Sequence, residues 1–230
     1  MIKKIFNLIL PPIIPYTYYK IRSFLVGMLP KKIKDDLRDR YVLESVSTPP
    51  FSGQDSIFLS SIDNSKLYLE YGSGHSTRWL LSNKDLHIVT VDSSEEWLDT
   101  IDRNQNFSDR LIKHHVDIGE VGSWGYPVNL LNREKFHQYW ETPWSKNEKY
   151  DLIVIDGRFR VQCFLYSLIN ADEGTIILFD DYCERPYYHI VEDIIKPEAD
   201  DGRMSKFVKG SKVNIDDAKK LLQDFRFNVE

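Results

Sequence analysis

Three aspartates have the residue type and spacing to form one chemical site. Asp156 follows an apolar run (IVI), and Asp180 and Asp181 follow another (ILF), at points where buried strands are expected to end. Ligands of an open parallel sheet bind beyond the carboxyl ends of its strands, so the three carboxylates should converge there. Close carboxylates repel one another unless a cation holds them, and their oxygens suit Mg²⁺. We therefore expect Asp156, Asp180 and Asp181 to bind a divalent metal ion.

Two arginines beside these acids leave a second interpretation open. Arg158 and Arg160 follow Asp156 within four residues. A guanidinium group matches the geometry of a carboxylate, so these arginines could pair with the acids in place of a metal. They could also bind an anionic substrate.

A glycine-containing segment, EYGSGHST at residues 70–77, follows the first expected strand. Two glycines two residues apart let a ligand lie against the backbone, where side chains would block it. A dinucleotide fingerprint would carry a third glycine where Thr77 stands. Asp92 ends the second expected strand, where an acidic side chain can accept both ribose hydroxyls of a nucleoside or can cap the next helix.

Five strand patterns alternate with five helical patterns from residue 66 onward. We expect strands at 67–71, 86–91, 111–116, 150–155 and 175–179, and helices at 76–82, 94–104, 133–140, 161–170 and 187–195. The strand patterns are short apolar runs, typical of strands that are buried on both faces. Repeated strand-then-helix units predict an α/β fold, a doubly wound and mostly parallel sheet flanked by helices. A weaker pattern predicts a strand at 205–208 and a helix at 215–225.

The glycine loop resembles the first motif of class I S-adenosylmethionine (SAM)-dependent methyltransferases, an acidic residue, any residue and then Gly-x-Gly. Here Glu70 fills the acidic position, where a carboxylate suits a cationic ligand better than a pyrophosphate. The resemblance implies a Rossmann-like domain with SAM as the cofactor, and an acid after the third strand near the adenine. It implies cofactor contacts by Glu70, Tyr71, Gly72, Ser73, Gly74, Ser76, Asp92, Asp117 and Trp124.

The acids after strands four and five resemble those of the metal-dependent catechol and macrocin-type sugar O-methyltransferases. That subgroup has an Asp after strand four and an Asp-Asp or Asp-Asn pair after strand five, and the resemblance covers about residues 66–196. It implies SAM-dependent O-methylation of a hydroxyl of a sugar, polysaccharide or related polyol, with Mg²⁺ assistance. His189, beyond the fifth strand, is the candidate catalytic base, and Asp156 is the candidate if no metal binds.

Two further functions stay open at this point. The chain could be a SAM-fold binding or scaffold protein without catalysis, or an NAD-dependent oxidoreductase, against which the missing third glycine counts. Nucleic acid is not an expected partner, because a chain with a net charge of −5 does not favour binding to a polyanion. The expected partner is a small-molecule or glycan acceptor, and a homo-oligomer is also open.

The first 34 residues differ in charge from the rest of the chain. They contain seven lysines and arginines and no acid, which leaves −12 for the remainder. Their apolar run is interrupted by prolines and is too short to span a bilayer, so they suit a membrane surface or packing on the domain or on a second subunit. We expect residues 1–50 to form an N-terminal helical arm and connector and residues 51–230 to form the SAM-methyltransferase-like domain.

The two cysteines, Cys163 and Cys183, are too few for a disulfide framework or a zinc cluster and suit reduced thiols. The expected location is therefore the cytoplasm, with the arm associated with the inner face of the membrane as a peripheral contact.

Overall fold

The structure is a computed structural model that describes residues 28, 30–33, 36, 45–53, 56–102 and 109–229. The chain divides into two compact units, residues 1–41 and 42–230. In the first unit, residues 31–33 form a helical turn. The expectations for the N-terminal arm lie almost entirely outside the described residues, and the domain boundary at residue 50 stays a prediction.

A seven-stranded sheet forms the centre of the second unit. Its strands lie in the order β3-β2-β1-β4-β5-β7-β6. The first five strands are parallel, β7 is antiparallel to β5, and β6 is antiparallel to β7. The strands are β1 (Leu67–Tyr71), β2 (His87–Asp92), β3 (Leu111–His115), β4 (Leu152–Ile155), β5 (Ile176–Phe179), β6 (Ala199–Asp200) and β7 (Ser205–Val208). The doubly wound, mostly parallel sheet is therefore confirmed.

Six α-helices of the described residues cover the two faces of the sheet. They are α1 (Ser56–Ile62), α2 (His75–Asn83), α3 (Glu95–Ile101), α4 (His137–Glu141), α5 (Arg160–Asn170) and α6 (Ile215–Asp224). Alternate strand residues point to opposite faces, so each face has its own apolar core. One core contains Leu69, Val89, Ile153 and Ile177 with residues of α4, α5 and α6. The other contains Tyr68, Ile88, Leu152 and Leu178 with residues of α1, α2 and α3.

Two predicted helices differ from the observed structure. The segment predicted at 133–140 is a 3₁₀ turn at Arg133–Lys135 followed by the short helix α4, and a second 3₁₀ turn follows at Thr142–Trp144. The segment predicted at 187–195 is a 3₁₀ helix at Pro186–Asp193. Its two buried side chains, Tyr188 and Val191, are three residues apart, and the three-residue period of a 3₁₀ helix brings such positions onto one face.

None of the helices in the described part of the chain combines the length and apolar character that a bilayer crossing requires.

Candidate active site

The glycine loop links the end of β1 to the start of α2 and packs against the end of β4. Gly72 has a φ of 96° and donates its N–H to the carbonyl of Val91, at 2.9 Å. A Cβ at this position would lie 2.6 Å from the backbone of Gly157, directly after Asp156. A side chain at Gly72 is therefore excluded both by its left-handed backbone and by the contact between the two strand ends.

Glu70 holds the glycine loop from within the protein. Its side chain has no exposed surface, and its carboxyl oxygens accept hydrogen bonds from the hydroxyls of Ser76 and Thr77. Burial raises the pKa of Glu70 to about 7, although these hydroxyls favour the charged form. Thr77 also accepts the N–H of Gly74, at 2.9 Å. The geometry gives Glu70 and Ser76 a role in fixing the loop, and their contact with a cofactor stays a prediction.

The side chain of Tyr71 lies in the core and not at the loop. Its hydroxyl donates to the carbonyl of Trp140, at 3.0 Å, and accepts the indole N–H of Trp144, at 2.9 Å. Because the side chain is fully buried, only the backbone of Tyr71 can face a ligand.

Asp92 joins the glycine loop to the end of β2. Its Oδ2 accepts the N–H of Ser73, at 3.1 Å, and its Oδ1 accepts the N–H of Ser94, at 2.9 Å. Burial raises the pKa of Asp92 even though these N–H groups stabilise the charged form. Each carboxylate oxygen has a second lone pair, so Asp92 can also accept hydroxyl groups of a ribose. The side chain that caps α3 is Ser94, which accepts the N–H of Trp97.

The loop after β3 at residues 119–127, which contains Trp124 and Tyr126 and is called the aromatic loop, folds over the end of β2. Gly125 accepts the hydroxyl hydrogen of Ser93, at 3.3 Å. The guanidinium carbon of Arg158 lies 3.8 Å from the centre of the Tyr126 ring, a close cation–π contact. Trp124, expected to cover a cofactor ring, has a φ of 61° and a side chain that is 67% exposed.

Asp117 lies at the surface of the same region. Its Oδ1 accepts the N–H of Gly119, at 2.9 Å, and its Oδ2 pairs with Lys135, at 3.3 Å. These contacts lower the pKa of Asp117, with the Gly119 hydrogen bond as the largest cause. Asp117 therefore stabilises the turn of the chain after β3.

The three aspartates after β4 and β5 do converge, and Arg160 lies between them. Its Nη2 is 3.0 Å from Oδ1 of Asp156, and its Nη1 is 3.3 Å from Oδ2 of Asp181. Nη1 is also 4.0 Å from Oδ2 of Asp180. The convergence follows from the strand order, since β1, β4 and β5 are neighbours. We call Asp156, Asp180, Asp181, Arg160, Arg185 and Arg203 the arginine–aspartate cluster.

Two more arginines complete the cluster. Nε and Nη2 of Arg203 each lie 2.6 Å from an oxygen of Asp180, in a bidentate pair, and the side chain of Asp180 is fully buried. Nη2 of Arg185 lies 2.6 Å from Oδ2 of Asp181. Burial acts to raise the pKa of Asp180, but the hydrogen bonds from Arg203 and the charge of Arg160 outweigh it and hold that pKa below its usual range. Burial and the neighbouring Asp180 raise the pKa of Asp156.

The expected Mg²⁺ site does not fit this arrangement. Mg²⁺ requires about six oxygen ligands at roughly 2.1 Å, whereas both oxygens of Asp180 bind a guanidinium group, whose positive charge would repel an ion on the same carboxylate. Among the described residues, no group of three His, Cys, Asp or Glu side chains is placed to hold a metal ion. The metal at Asp156, Asp180 and Asp181 therefore stays a prediction without support, and in the structure arginines supply positive charge beside these carboxylates.

His189 lies on the 3₁₀ helix after β5, beside Tyr182. Its Nε2 is 3.1 Å from the carbonyl oxygen of Tyr182, and the two rings stack with centroids 4.6 Å apart. A carbonyl only accepts, so this contact assigns the proton to Nε2 and leaves Nδ1 as the basic atom. His189 belongs to the same end of the sheet as the cluster but takes part in none of its ion pairs.

The sequence indicates two of the cluster arginines, Arg160 and Arg185, but not Arg203. Arg160 was among the candidates, and Arg185 stands four residues after Asp181, a spacing at which ion pairs form in a helical turn. Arg203 is 23 residues beyond Asp180 and meets it only because β7 pairs antiparallel to β5, with Phe179 opposite Ser205. No local pattern in the sequence marks that contact.

The strand order separates this sheet from that of classic dinucleotide-binding domains. Those domains have the order 3-2-1-4-5-6, with the sixth strand directly beside the fifth. Here the antiparallel β7 lies between β5 and β6. The oxidoreductase interpretation therefore has neither the third glycine nor the classic strand order in its favour.

Comparison with known proteins gives the fold. No protein-family profile matches the chain, and no curated protein does. A methyltransferase-like protein from Silicibacter pomeroyi has a similar structure, with a TM-score of 0.67 and 26% identity over 78% of this chain and 96% of that one. The O-methyltransferase from Bacillus cereus in complex with SAH has a TM-score of 0.46 and 19% identity over 83% of this chain and 96% of that one. The first likeness shows the Rossmann-like α/β fold of class I methyltransferases.

Proposed function

We propose that the protein is a SAM-dependent methyltransferase and that it transfers the methyl group to a hydroxyl oxygen. The proposal rests on the hydrogen bond from the N–H of Ser73 in the glycine loop to the carboxylate of Asp92. This contact lies on a sheet similar to that of a methyltransferase-like protein at 26% identity. In open α/β sheets, ligands bind at this edge, beyond the carboxyl ends of the strands.

The residues present fit a nucleoside-containing cofactor. Asp92 is anchored by two backbone N–H groups and can accept both ribose hydroxyls with its remaining lone pairs. The backbone of Gly72, Ser73 and Gly74 lies beside it, and the aromatic loop with Trp124 and Tyr126 folds over the same strand end. Bound SAM would supply an electrophilic methyl group on a sulfonium sulfur.

The chain's own task is then to orient the acceptor and to take its proton. In the transfer, the hydroxyl oxygen forms a bond to the methyl carbon while the carbon–sulfur bond breaks and leaves a neutral thioether. The hydroxyl proton must pass to a base. Asp156 is the first candidate, because it directly precedes Gly157, which packs on the glycine loop, and its side chain is 31% exposed. His189 could serve only through Nδ1.

The acceptor class is proposed from the resemblance to sugar O-methyltransferases. A sugar or related polyol offers hydroxyls that a carboxylate and guanidinium groups can bind. A glycan acceptor held at a membrane would suit the basic and apolar character of residues 1–34.

The proposed cofactor site can be tested by calorimetry with S-adenosylhomocysteine. We expect Asp92→Asn to weaken binding at least about tenfold, because a hydrogen bond to a charged group contributes roughly 1.5–3 kcal/mol. Asp63→Asn is the matched control, since Asp63 is an exposed acid before the start of β1 that pairs with Lys84, and it should bind within about twofold of the wild type. Equal affinity of the Asp92→Asn variant and the wild type would remove Asp92 from the site.

A further inference from the structure

We propose that Arg160, Arg185 and Arg203 take the place of a divalent cation at the strand ends, so that the site neutralises its carboxylates without a metal. The proposal extends the function proposed above, on which its catalytic meaning rests. Its test measures metal binding and does not require methyl transfer.

The charges of the cluster are matched one to one. Asp156 has a guanidinium partner in Arg160, Asp180 has one in Arg203, and Asp181 has one in Arg185, at distances between 2.6 and 3.0 Å. Three guanidinium groups at least balance the charge of the three carboxyl groups, so the cluster has no net negative charge to attract a divalent ion. A metal could bind only after a guanidinium group had left its carboxylate.

Arg160 is built into the fold and cannot swing aside. A guanidinium group has five N–H donors, and contacts account for all of them. Nε donates to the carbonyl of Gly157, Nη1 to the carbonyl of Asp180 and to the carboxylate of Asp181, and Nη2 to the carbonyl and carboxylate of Asp156. The side chain is only 5% exposed. The carbonyl contacts fix the guanidinium group at the point where the three carboxylates meet.

Arg203 closes the cluster from the turn between β6 and β7. Its backbone is held at both ends, because its carbonyl accepts the N–H of Cys183, at 3.1 Å, and its N–H donates to the carboxylate of Asp201, at 3.3 Å. The guanidinium carbon also lies 5.8 Å from the centre of the Phe51 ring. Its bidentate pair engages both oxygens of Asp180, so a metal ion on the same carboxylate would lie beside the positive guanidinium group.

Because they stand in place of a metal ion, the arginines have a positioning role in the proposed reaction. In a metal-dependent enzyme, the cation would draw the carboxylates together and fix their direction. Here Arg160 fixes Asp156 beside the glycine loop, and Arg203 keeps Asp180 from repelling it.

Titration of the protein with Mn²⁺, followed by the loss of the free-ion electron paramagnetic resonance signal, tests the proposal. We expect the wild type to bind no Mn²⁺ below about 1 mM, since the carboxylates are already neutralised. We expect Arg203→Ala to bind Mn²⁺ at least about tenfold more tightly, because Asp180 then becomes a free ligand beside Asp156. The conservative variant Arg203→Lys restores the charge and should bind like the wild type.

Arg226→Ala is the matched control. Arg226 is exposed to a similar degree and forms an ion pair with Glu134, at 3.1 Å, on another part of the surface. Its removal should leave Mn²⁺ binding unchanged. Arg185→Ala is the second cluster variant, in case circular dichroism shows that Arg203→Ala does not fold, and it should also gain Mn²⁺ affinity.

Two outcomes would overturn the proposal. The first is micromolar Mn²⁺ binding by the wild type that Asp156→Asn and Asp180→Asn abolish, because the arginines would then yield to a metal. The second is a set of folded arginine variants that bind Mn²⁺ no better than the wild type. Failure of S-adenosylhomocysteine to bind would contradict the proposed function but would leave the metal result to stand by itself.

Discussion

The buried Glu70 makes the free energy of unfolding depend on pH in a defined window. Burial raises its pKa from an ordinary 4.5 to about 7 in the folded protein. Between these values the folded state binds more protons than the unfolded state, so stability falls as the pH rises. The contribution is fully present below pH 4.5 and is lost as the pH passes through about 7. A shift of this size corresponds to about 3 kcal/mol.

The variant Glu70→Gln removes the titrating group and keeps an acceptor oxygen and the shape of the side chain. One hydroxyl, from Ser76 or Thr77, must turn to accept the new amide hydrogen. We expect the stability of the variant relative to the wild type to increase by about 3 kcal/mol between about pH 4.5 and pH 8. Other titrating groups are common to both proteins and largely cancel in this difference.

Urea denaturation followed by tryptophan fluorescence, at several pH values across this window, measures that difference. Glu134→Gln is the control, because Glu134 is an exposed surface acid whose replacement should change the free energy of unfolding by no more than about 0.5 kcal/mol. A difference between Glu70→Gln and the wild type that stays constant from pH 4.5 to 8 would refute the assignment of a raised pKa to Glu70.

Two further predictions concern the arginine–aspartate cluster and the glycine loop. Arg203→Ala should lower the free energy of unfolding by about 3 kcal/mol, because it leaves the buried carboxylate of Asp180 without its bidentate partner. In the same chemical denaturation experiment, Arg226→Ala should lower it by less than about 1 kcal/mol. Gly72→Ala should cost at least about 3 kcal/mol, because its Cβ would meet the backbone of the neighbouring strand end. Gly174→Ala has a similar positive φ but no atom within 4 Å, and it should lose only about 1–2 kcal/mol in thermal or urea unfolding. Equal losses for the two members of either pair would contradict the structural reason given.

Apolar runs predicted most of the sheet because β1, β2, β4 and β5 are buried on both faces, whereas β3 at its edge is only partly buried. The strands β1 and β7 coincide with the predicted runs, and the ends of the other predicted strands shift by one or two residues. The two-residue strand β6 is too short to show a periodic sequence pattern. It forms by antiparallel pairing with β7. The 3₁₀ helix at Pro186–Asp193 differs from the prediction because aromatic packing of Tyr188 on Phe179 and of His189 on Tyr182 decides its period.

The candidate site was predictable where it depends on strand order and unpredictable where it depends on distant contacts. The acids after β4 and β5 converge because parallel strands end at one edge, which local sequence reveals. The choice between metal and arginine depends on Arg203, which reaches Asp180 through the antiparallel pairing of β7. The hydroxyl partners of Glu70 lie only six and seven residues away, but the sequence does not show whether its carboxyl group faces a ligand or the loop itself.

Calorimetric titration of the wild-type protein with S-adenosylhomocysteine, and separately with NADH, tests the central claim most directly. The account predicts one S-adenosylhomocysteine site per chain, with a dissociation constant of about 100 μM or tighter, and no heat of binding from NADH. Binding of NADH without S-adenosylhomocysteine, or no binding of S-adenosylhomocysteine at millimolar concentration, would contradict it.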